Sequence, residues 1–341
     1  MGLDSHTNPS QSHVGNLKQE ATKVETNEVS FRILRFNPEK GEKSNYQTFK
    51  VKIDNRMTVL DALEKIKHEQ DASLTFRRSC RSGICGSCAM RINGLAKLAC
   101  KTKAKNEADR QGEVLVEPML NMMPVIRDLV VDMSEFWHEI SRGTPWLITD
   151  ETAKESLKEN LVTNQQQRIS AKMADCIMCG CCFSDCVSRI FDKNFNGPAS
   201  LAKVNRFVTD PRDKEGANRV HGLVEIGLWS CTHCYFCWSQ CPRDVRPVAA
   251  ISELRVLSCR SLDPSQGARH VNALTDSVKS SGMLNEAILY LRTLRLTAIK
   301  DIDLVLKMAV KGKAPSPFKR PIPQIEEVRT LFSLTKGAQE K

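Results

Sequence analysis

Two short cysteine runs constrain this chain more than any other feature of its 341 residues. The first holds Cys176, Cys179, Cys182 and Cys186, the second Cys231, Cys234, Cys237 and Cys241, and each has the spacing CxxCxxCxxxC. Three thiolates at three-residue steps can wrap one face of an iron-sulfur cube, whereas a fourth, displaced by one more residue, points towards a second cube. The runs therefore complete each other. Cys176, Cys179, Cys182 and Cys241 would hold one [4Fe-4S] cluster, and Cys231, Cys234, Cys237 and Cys186 the other. Pro242 follows Cys241, as that spacing expects.

Structural zinc also uses CxxC pairs, but it needs two pairs set well apart rather than four cysteines crowded together. Disulfides fit no better, because a chain of this length builds about two domains with cores of their own and does not need local staples. Fourteen cysteines without a recognisable leader in MGLDSHTNPS point to assembly in a reducing compartment. The net charge of +10 is dispersed and lacks interleaved aromatics, so it reads as solvated surface and not as a nucleic-acid groove. No apolar stretch approaches the ~20 residues of a membrane-spanning helix. Membrane contact is therefore expected through partners.

Residues 1–26 are polar and read as a flexible tail. From Val29 the sequence alternates: Val29, Phe31 and Ile33, then after a turn-rich NPEKGEKSN, Phe49, Val51 and Ile53. This predicts a hairpin. Thr58 is placed to cap a helix, with Asp61 near its positive end and Val59, Leu60, Leu63 and Ile66 as its apolar stripe. Strand, strand, helix is the opening of a β-grasp domain. Next, Cys80, Cys85 and Cys88 stand as CxxxxCxxC, followed by Cys100, which is the plant-type [2Fe-2S] spacing. Gly83 and Gly86 allow the backbone to close around such a cluster.

FRRSCRSGICGSCAMRINGLAKLAC, together with EPMLNMMPVIRDLVVDMSEFW at 117–137, resembles the iron-sulfur subunit of succinate dehydrogenase and fumarate reductase. The resemblance implies an α+β chain. An N-terminal β-grasp plant-type ferredoxin domain, residues 27–125, would carry [2Fe-2S] near the FAD of a flavoprotein subunit. An all-helical bacterial-type two-cluster ferredoxin domain, residues 126–260, would carry two [4Fe-4S] clusters, and residues 261–341 a helical extension. Helices are expected from about 126, with Val125–Trp137 as the crossover, and 210–219 as a polar loop. The family further implies a peripheral position on the cytoplasmic face of the cell membrane, reached through partner subunits, with the periplasmic face as the alternative.

The chain departs from the quinone-reducing members at several positions. Where they carry an apolar residue and a three-iron cluster, this chain has Cys234, so a cubane is expected. Their proline, tryptophan and histidine near the quinone are replaced by Val187, Ile190 with Phe191, and Thr232. A quinone is therefore expected to be reached only indirectly. LWSCTHCYFCWSQCPRDVRPVAAISELR resembles instead the cluster-bearing subunit of heterodisulfide reductases and the atypical succinate dehydrogenases that share their cysteine-rich partner. In the tail, Leu284, Ile288, Leu291, Leu294, Ala298, Ile302 and Val305 form an amphipathic stripe. Core packing is the first reading of this stripe, and a docking surface for a cysteine-rich or membrane anchor subunit the second.

Two cysteines remain after twelve ligands. Cys181 is read as small and buried beside a cluster, and Cys259 as packing. His233 is read as a hydrogen-bond donor or a solvent-facing residue, and Arg243 and Arg246 either raise a cluster potential or face a partner. No nucleophile, phosphate loop or paired carboxylate suggests substrate chemistry on this chain. The leading reading is an electron wire between FAD and a quinone-linked subunit. A thiol- or heterodisulfide-linked fumarate reductase is the alternative, and a zinc-bearing nucleic-acid module a remote one.

Overall fold

A computed structural model describes residues 27–41, 43–120, 123–149, 159–261 and 264–339. The expected tail at 1–26 lies outside them. Strands β1 (Asn27–Arg35) and β2 (Asn45–Ile53) pair antiparallel, with Val29 opposite Val51 and Phe31 opposite Phe49. The alternation puts these side chains on one buried face. Helix α1 (Val59–Glu69) begins at a capping box: the Asp61 N–H donates to Thr58 Oγ1 (3.2 Å) and the Thr58 N–H to the Asp61 carboxylate (2.9 Å). Its Val59, Leu60, Leu63 and Ile66 are buried, as the periodicity predicts.

Strands β3 (Ala89–Ile92) and β4 (Leu95–Leu98) form a hairpin through Asn93 and Gly94, and after the short helix α2 (Ala104–Glu107) strand β5 (Glu113–Glu117) enters between β1 and β3. The sheet order is β2-β1-β5-β3-β4, with only the β1–β5 pair parallel. The two residues of the β3–β4 turn both have positive φ, at 50° and 78°, as an Asn-Gly hairpin turn requires.

Residues 125–131 correct the expectation of helix from about 126. They form a small ladder of β6 (Val125–Arg127) and β7 (Val130–Val131). The cause is tertiary. The buried Asp128 carboxylate accepts from Arg35 Nε (3.0 Å) and from the N–H groups of Phe36 (3.1 Å) and Thr75 (2.8 Å), which pins the turn to the sheet. Helix α3 (Ser134–Arg142) follows. One apolar core runs from the sheet through Leu129, Val131, Phe136 and Ile140 to Cys181 and Phe183, with Phe136 and Phe183 edge to face at 5.3 Å. Arg189, fully buried, stacks on Phe183 and pairs with Glu135 (3.1 Å) and Glu139 (3.4 Å) of α3.

From here every described element is helical: α4 (Asn164–Ala174), α5 (Cys181–Ser184), α6 (Val187–Phe191), α7 (Pro198–Val208), α8 (Gly216–Gly222), α9 (Phe236–Ser239) and α10 (Pro247–Cys259), with single 3-10 turns between. Helix α8 corrects the polar-loop reading of 210–219. Its Arg219 is buried because it donates to Asp213 (2.8 and 3.1 Å) and to the carbonyls of Thr144 and Trp146.

The extension comprises α11 (Gln266–Ser281), α12 (Glu286–Leu294), a 3-10 segment, α13 (Ile302–Val310) and α14 (Ile325–Gln339). Its stripe is broken where Arg295 takes φ 52°, and it does not form core. Leu291, Ile302 and Val305 are exposed and line an apolar groove with Leu304 and Met308, which corrects the core-packing reading.

Candidate metal centres

The loop after α1 turns Cys80 inward on itself through left-handed residues at Arg81, Gly83 and Gly86. Cys80 Sγ accepts from the N–H groups of Ser82 (3.4 Å), Cys85 (3.3 Å) and Ile84 (3.3 Å). These donors hold its thiol down at about 6. Cys88 and Cys100 lie beneath, at the edge of the main core, and burial pushes Cys88 up to about 12. Cys85 is exposed at the rim beside Ile84, which is 62% exposed.

In the helical half the thiols sort across the two runs. Cys182 is partly buried and pushed well above its ordinary range, by desolvation first and then by the negative charges of Cys176, Cys179, Cys237 and Cys241. Burial likewise raises Cys176, whose thiol neighbours are Cys179 and Cys241. A small cavity opens between Cys176, Cys179, Cys182 and Cys241, with Arg243 on its wall. The other group is Cys186, raised to about 11 by burial and by Cys231 and Cys234, and Cys237, raised to about 12 by burial and by Cys231, Cys186 and Cys234. Cys241 thus lies with the first run and Cys186 with the second. Cys234 is exposed.

The remaining candidates have distinct places. Cys181 is buried and its thiol is hydrogen-bonded to Cys179, which lowers Cys179 and raises Cys181. Cys259 is half-buried at the end of α10, its Sγ 4.0 Å from the Ala268 carbonyl. Arg246 is turned away from the thiols, donating to Asp244 (2.9 and 3.2 Å) and covering the Trp238 ring. His233 takes φ 54°, donates its N–H to Cys231 Sγ (3.5 Å) and contacts Ser252 and Arg255 through its ring nitrogens. Burial, then the Arg255 charge, lowers its pKa, so the ring is neutral.

Two contacts escape the sequence reading. Gly86 packs so closely on the first run that a Cβ built on it would stand 2.9 Å from Cys179 Cβ and 3.0 Å from Cys179 Cα. Lys101, next to Cys100, donates from Nζ to the Pro242 carbonyl (3.1 Å), next to Cys241. The loop holding Cys80 and Cys85 therefore abuts the group of Cys176, Cys179, Cys182 and Cys241. Gly86 was legible as a tight-turn residue but its partner was not. Arg255 was missed too; a charge on the mainly apolar face of PVAAISELRVLSC was the clue.

The donor set fits iron-sulfur clusters. These three groups comprise twelve thiols, and sulfur-only sites select soft metals. Residues 30–138 match a family described as a 2Fe-2S iron-sulfur cluster binding domain, and residues 172–245 one described as a 4Fe-4S dicluster domain. The fumarate reductase iron-sulfur subunit of Haemophilus influenzae is 35% identical over 243 residues, covering 68% of this chain and 93% of that protein. The chain belongs to the family of succinate dehydrogenase and fumarate reductase iron-sulfur subunits.

Another member of this family, the 8-methylmenaquinol:fumarate reductase iron-sulfur subunit of Wolinella succinogenes, is 34% identical over 293 residues, or 84% of this chain and 90% of that one. A chain of the Mycobacterium smegmatis Sdh1 complex in the apo form shares the fold, with TM-score 0.63 at 24% identity, over 70% of this chain and 99% of that one. Among the described residues no helix is long and apolar enough to cross a membrane.

Proposed function

We propose that this subunit carries single electrons between the FAD of a flavoprotein subunit and a quinone-linked anchor subunit, within a succinate dehydrogenase or fumarate reductase complex. Cys80, Cys85, Cys88 and Cys100 would hold one [2Fe-2S] cluster, in a sheet that we read as β-grasp within a domain of residues 27–125. Two [4Fe-4S] clusters would be held in a domain of residues 126–260, one by Cys176, Cys179, Cys182 and Cys241, the other by Cys186, Cys231, Cys234 and Cys237. Clusters of this kind supply one-electron acceptors and donors.

The observation that carries this reading is the contact of Gly86 with Cys179. It puts the two-iron loop against the first cubane loop, and Cys182 in turn feels the charge of Cys237 in the second group. Three sites in line make a relay. The protein's own work is to keep the sites close, to leave only Cys85 and Cys234 of the twelve thiols exposed, and to present its two ends. The entry end is the exposed Cys85 and Ile84. The exit end is Cys234, followed in the chain by exposed Tyr235 and Phe236, while Ile190 and Phe191 (85% exposed) stand on α6. The Thr232 N–H donates to Ser188 Oγ (3.2 Å) and ties these two segments together.

The apolar groove of residues 261–341 we read as the docking surface for the anchor, which would place the subunit at the cytoplasmic face of the membrane through partners. The match to the Wolinella protein, which exceeds that to the Haemophilus protein by some fifty residues and is named for 8-methylmenaquinol and fumarate, supports the quinone-linked reading. The test is iron and acid-labile sulfide on the anaerobically purified complex, with electron paramagnetic resonance. About ten irons per chain and two cubane spectra are expected. Zinc without sulfide would refute the reading. Fumarate reduction by a quinol and by a dithiol, assayed side by side, separates the quinone-linked from the thiol-linked complex.

A further inference from the structure

Among the described residues, a cation beside the second cysteine group has no carboxylate to balance it. Arg255 on α10 is half-buried, its guanidinium 5.0 Å from the Trp229 ring centre. Nη2 donates to the carbonyls of Cys231 (2.7 Å) and Leu228 (3.1 Å), and Nε also donates to Leu228 (3.2 Å). Nη1 donates to Nδ1 of His233 (2.9 Å), which leaves the ring proton on Nε2, 3.1 Å from Ser252 Oγ. Every one of these partners is neutral. Among the described residues no Asp or Glu comes within 4.0 Å of the guanidinium, and the acidic groups coupled to it are the thiols of Cys231 and Cys259. Arg246 differs in this respect, since Asp244 neutralises it.

A half-buried charge is costly unless something opposite offsets it. Four thiolates around a cubane core leave a net negative charge that grows by one when the site takes up an electron. A fixed cation beside such a site favours electron uptake, and a rigid fork that grips the ligand loop by two carbonyls keeps it there. We propose that Arg255 is a positioning and charge-balancing residue of the second four-iron site, fixing the Cys231 loop and holding the reduction potential of that site up. This rests on the reading that Cys186, Cys231, Cys234 and Cys237 hold iron. Its consequence is that the exit end of the relay retains an electron until the partner takes it.

The test is a potentiometric titration of the whole complex, followed by electron paramagnetic resonance, for the native subunit, Arg255→Gln and Arg255→Lys. The second site is recognised as the one whose spectrum changes in Cys234→Ser. Arg255→Gln is expected to lower the reduction equilibrium constant of that site about tenfold, ~59 mV for a one-electron couple, without moving the two-iron site or the iron content. Arg255→Lys, which keeps the charge and loses the fork, is expected to stay near the native value. Full iron with an unmoved potential in Arg255→Gln would overturn the proposal, and so would a potential in Arg255→Lys displaced as far as in Arg255→Gln. If Arg255→Gln loses the second site, Arg255→Lys decides: a loaded site near the native potential supports the role, and an empty or displaced one refutes it. Failure of the underlying reading looks different, because the native subunit itself would then show no second cubane.

Discussion

Replacing Gly86 by alanine tests whether the two-iron loop and the first cubane loop are held in contact. At φ 75° an alanine bears the left-handed penalty of about 1–2 kcal/mol. Its Cβ would also stand 2.9 Å from Cys179 Cβ and 3.0 Å from Cys179 Cα, where ordinary contact starts at 3.4 Å. Backbone must therefore move by some tenths of an ångström, and overpacking of that kind costs about 1–3 kcal/mol. Gly41 provides the control, since it has φ 62° and nothing within 4 Å of a Cβ, so Gly41→Ala bears only the backbone penalty. The difference between the two variants, about 1–3 kcal/mol, corresponds to roughly 2–12 °C in apparent melting temperature at a common scan rate. Because the displaced atoms belong to Cys179, Gly86→Ala should also lose iron from the first four-iron site, while Gly41→Ala keeps it. Equal melting temperatures and equal iron in the two variants would refute the close approach on which the relay depends.

Cys234→Ser should remove about one iron per chain and give a three-iron resonance in the oxidised protein; unchanged iron would mean that Cys234 is not a ligand. The Asp71 carboxyl is held down at about 2 by the Ser73 hydroxyl and then by Arg35, against about 3.9 in an unfolded chain. Its stabilisation is therefore present above about pH 4 and fades as pH falls from 4 towards 2. Chemical unfolding should show Asp71→Asn destabilised by a constant amount above pH 5, with the gap closing below pH 4; a gap unchanged at pH 3 would contradict the assignment. Leu304→Glu and Val305→Glu, at positions 59% and 43% exposed, should leave the melting temperature of the isolated subunit within about 1 °C, as surface changes do. They should release the anchor subunit on gel filtration of the complex, and an intact complex would remove the groove as its docking surface.

What could be read in the sequence was whatever local pattern decides. The β1–β2 hairpin and α1 follow from alternation, a capping box and a helical stripe, and each is set by residues close together in the chain. The small β6–β7 ladder could not be foreseen, because runs of three and two residues have no periodicity and the turn is made by Arg35, far away in sequence, on Asp128. Helix α8 opens on a glycine and is rich in polar residues. It holds because Arg219 reaches carbonyls more than seventy residues back. At the site, spacing named the thiols, whereas Arg255 was hidden because it meets Cys231 across 24 residues, from α10, two helices on.

The thiols also show what the fold alone does not supply. Burial holds Cys88, Cys186 and Cys237 at about 11 to 12 and raises Cys182 well above its ordinary range, so at neutral pH the loops by themselves favour protonated sulfur. Metal ligation needs thiolates, so these loops are shaped for a guest that brings positive charge and displaces protons. Cys179 is lowered by Cys181, and Cys80 is held at about 6 by the N–H groups of Ser82, Cys85 and Ile84. Near the first group a small core of Met173, Ala202, Val245 and Ala250 packs directly on Cys176 and Cys241, while the core of the sheet and α1 takes in Cys88 and Cys100 and continues to Cys181. The cysteines thus belong to the packing of both halves, and what they hold bears on the cohesion of each.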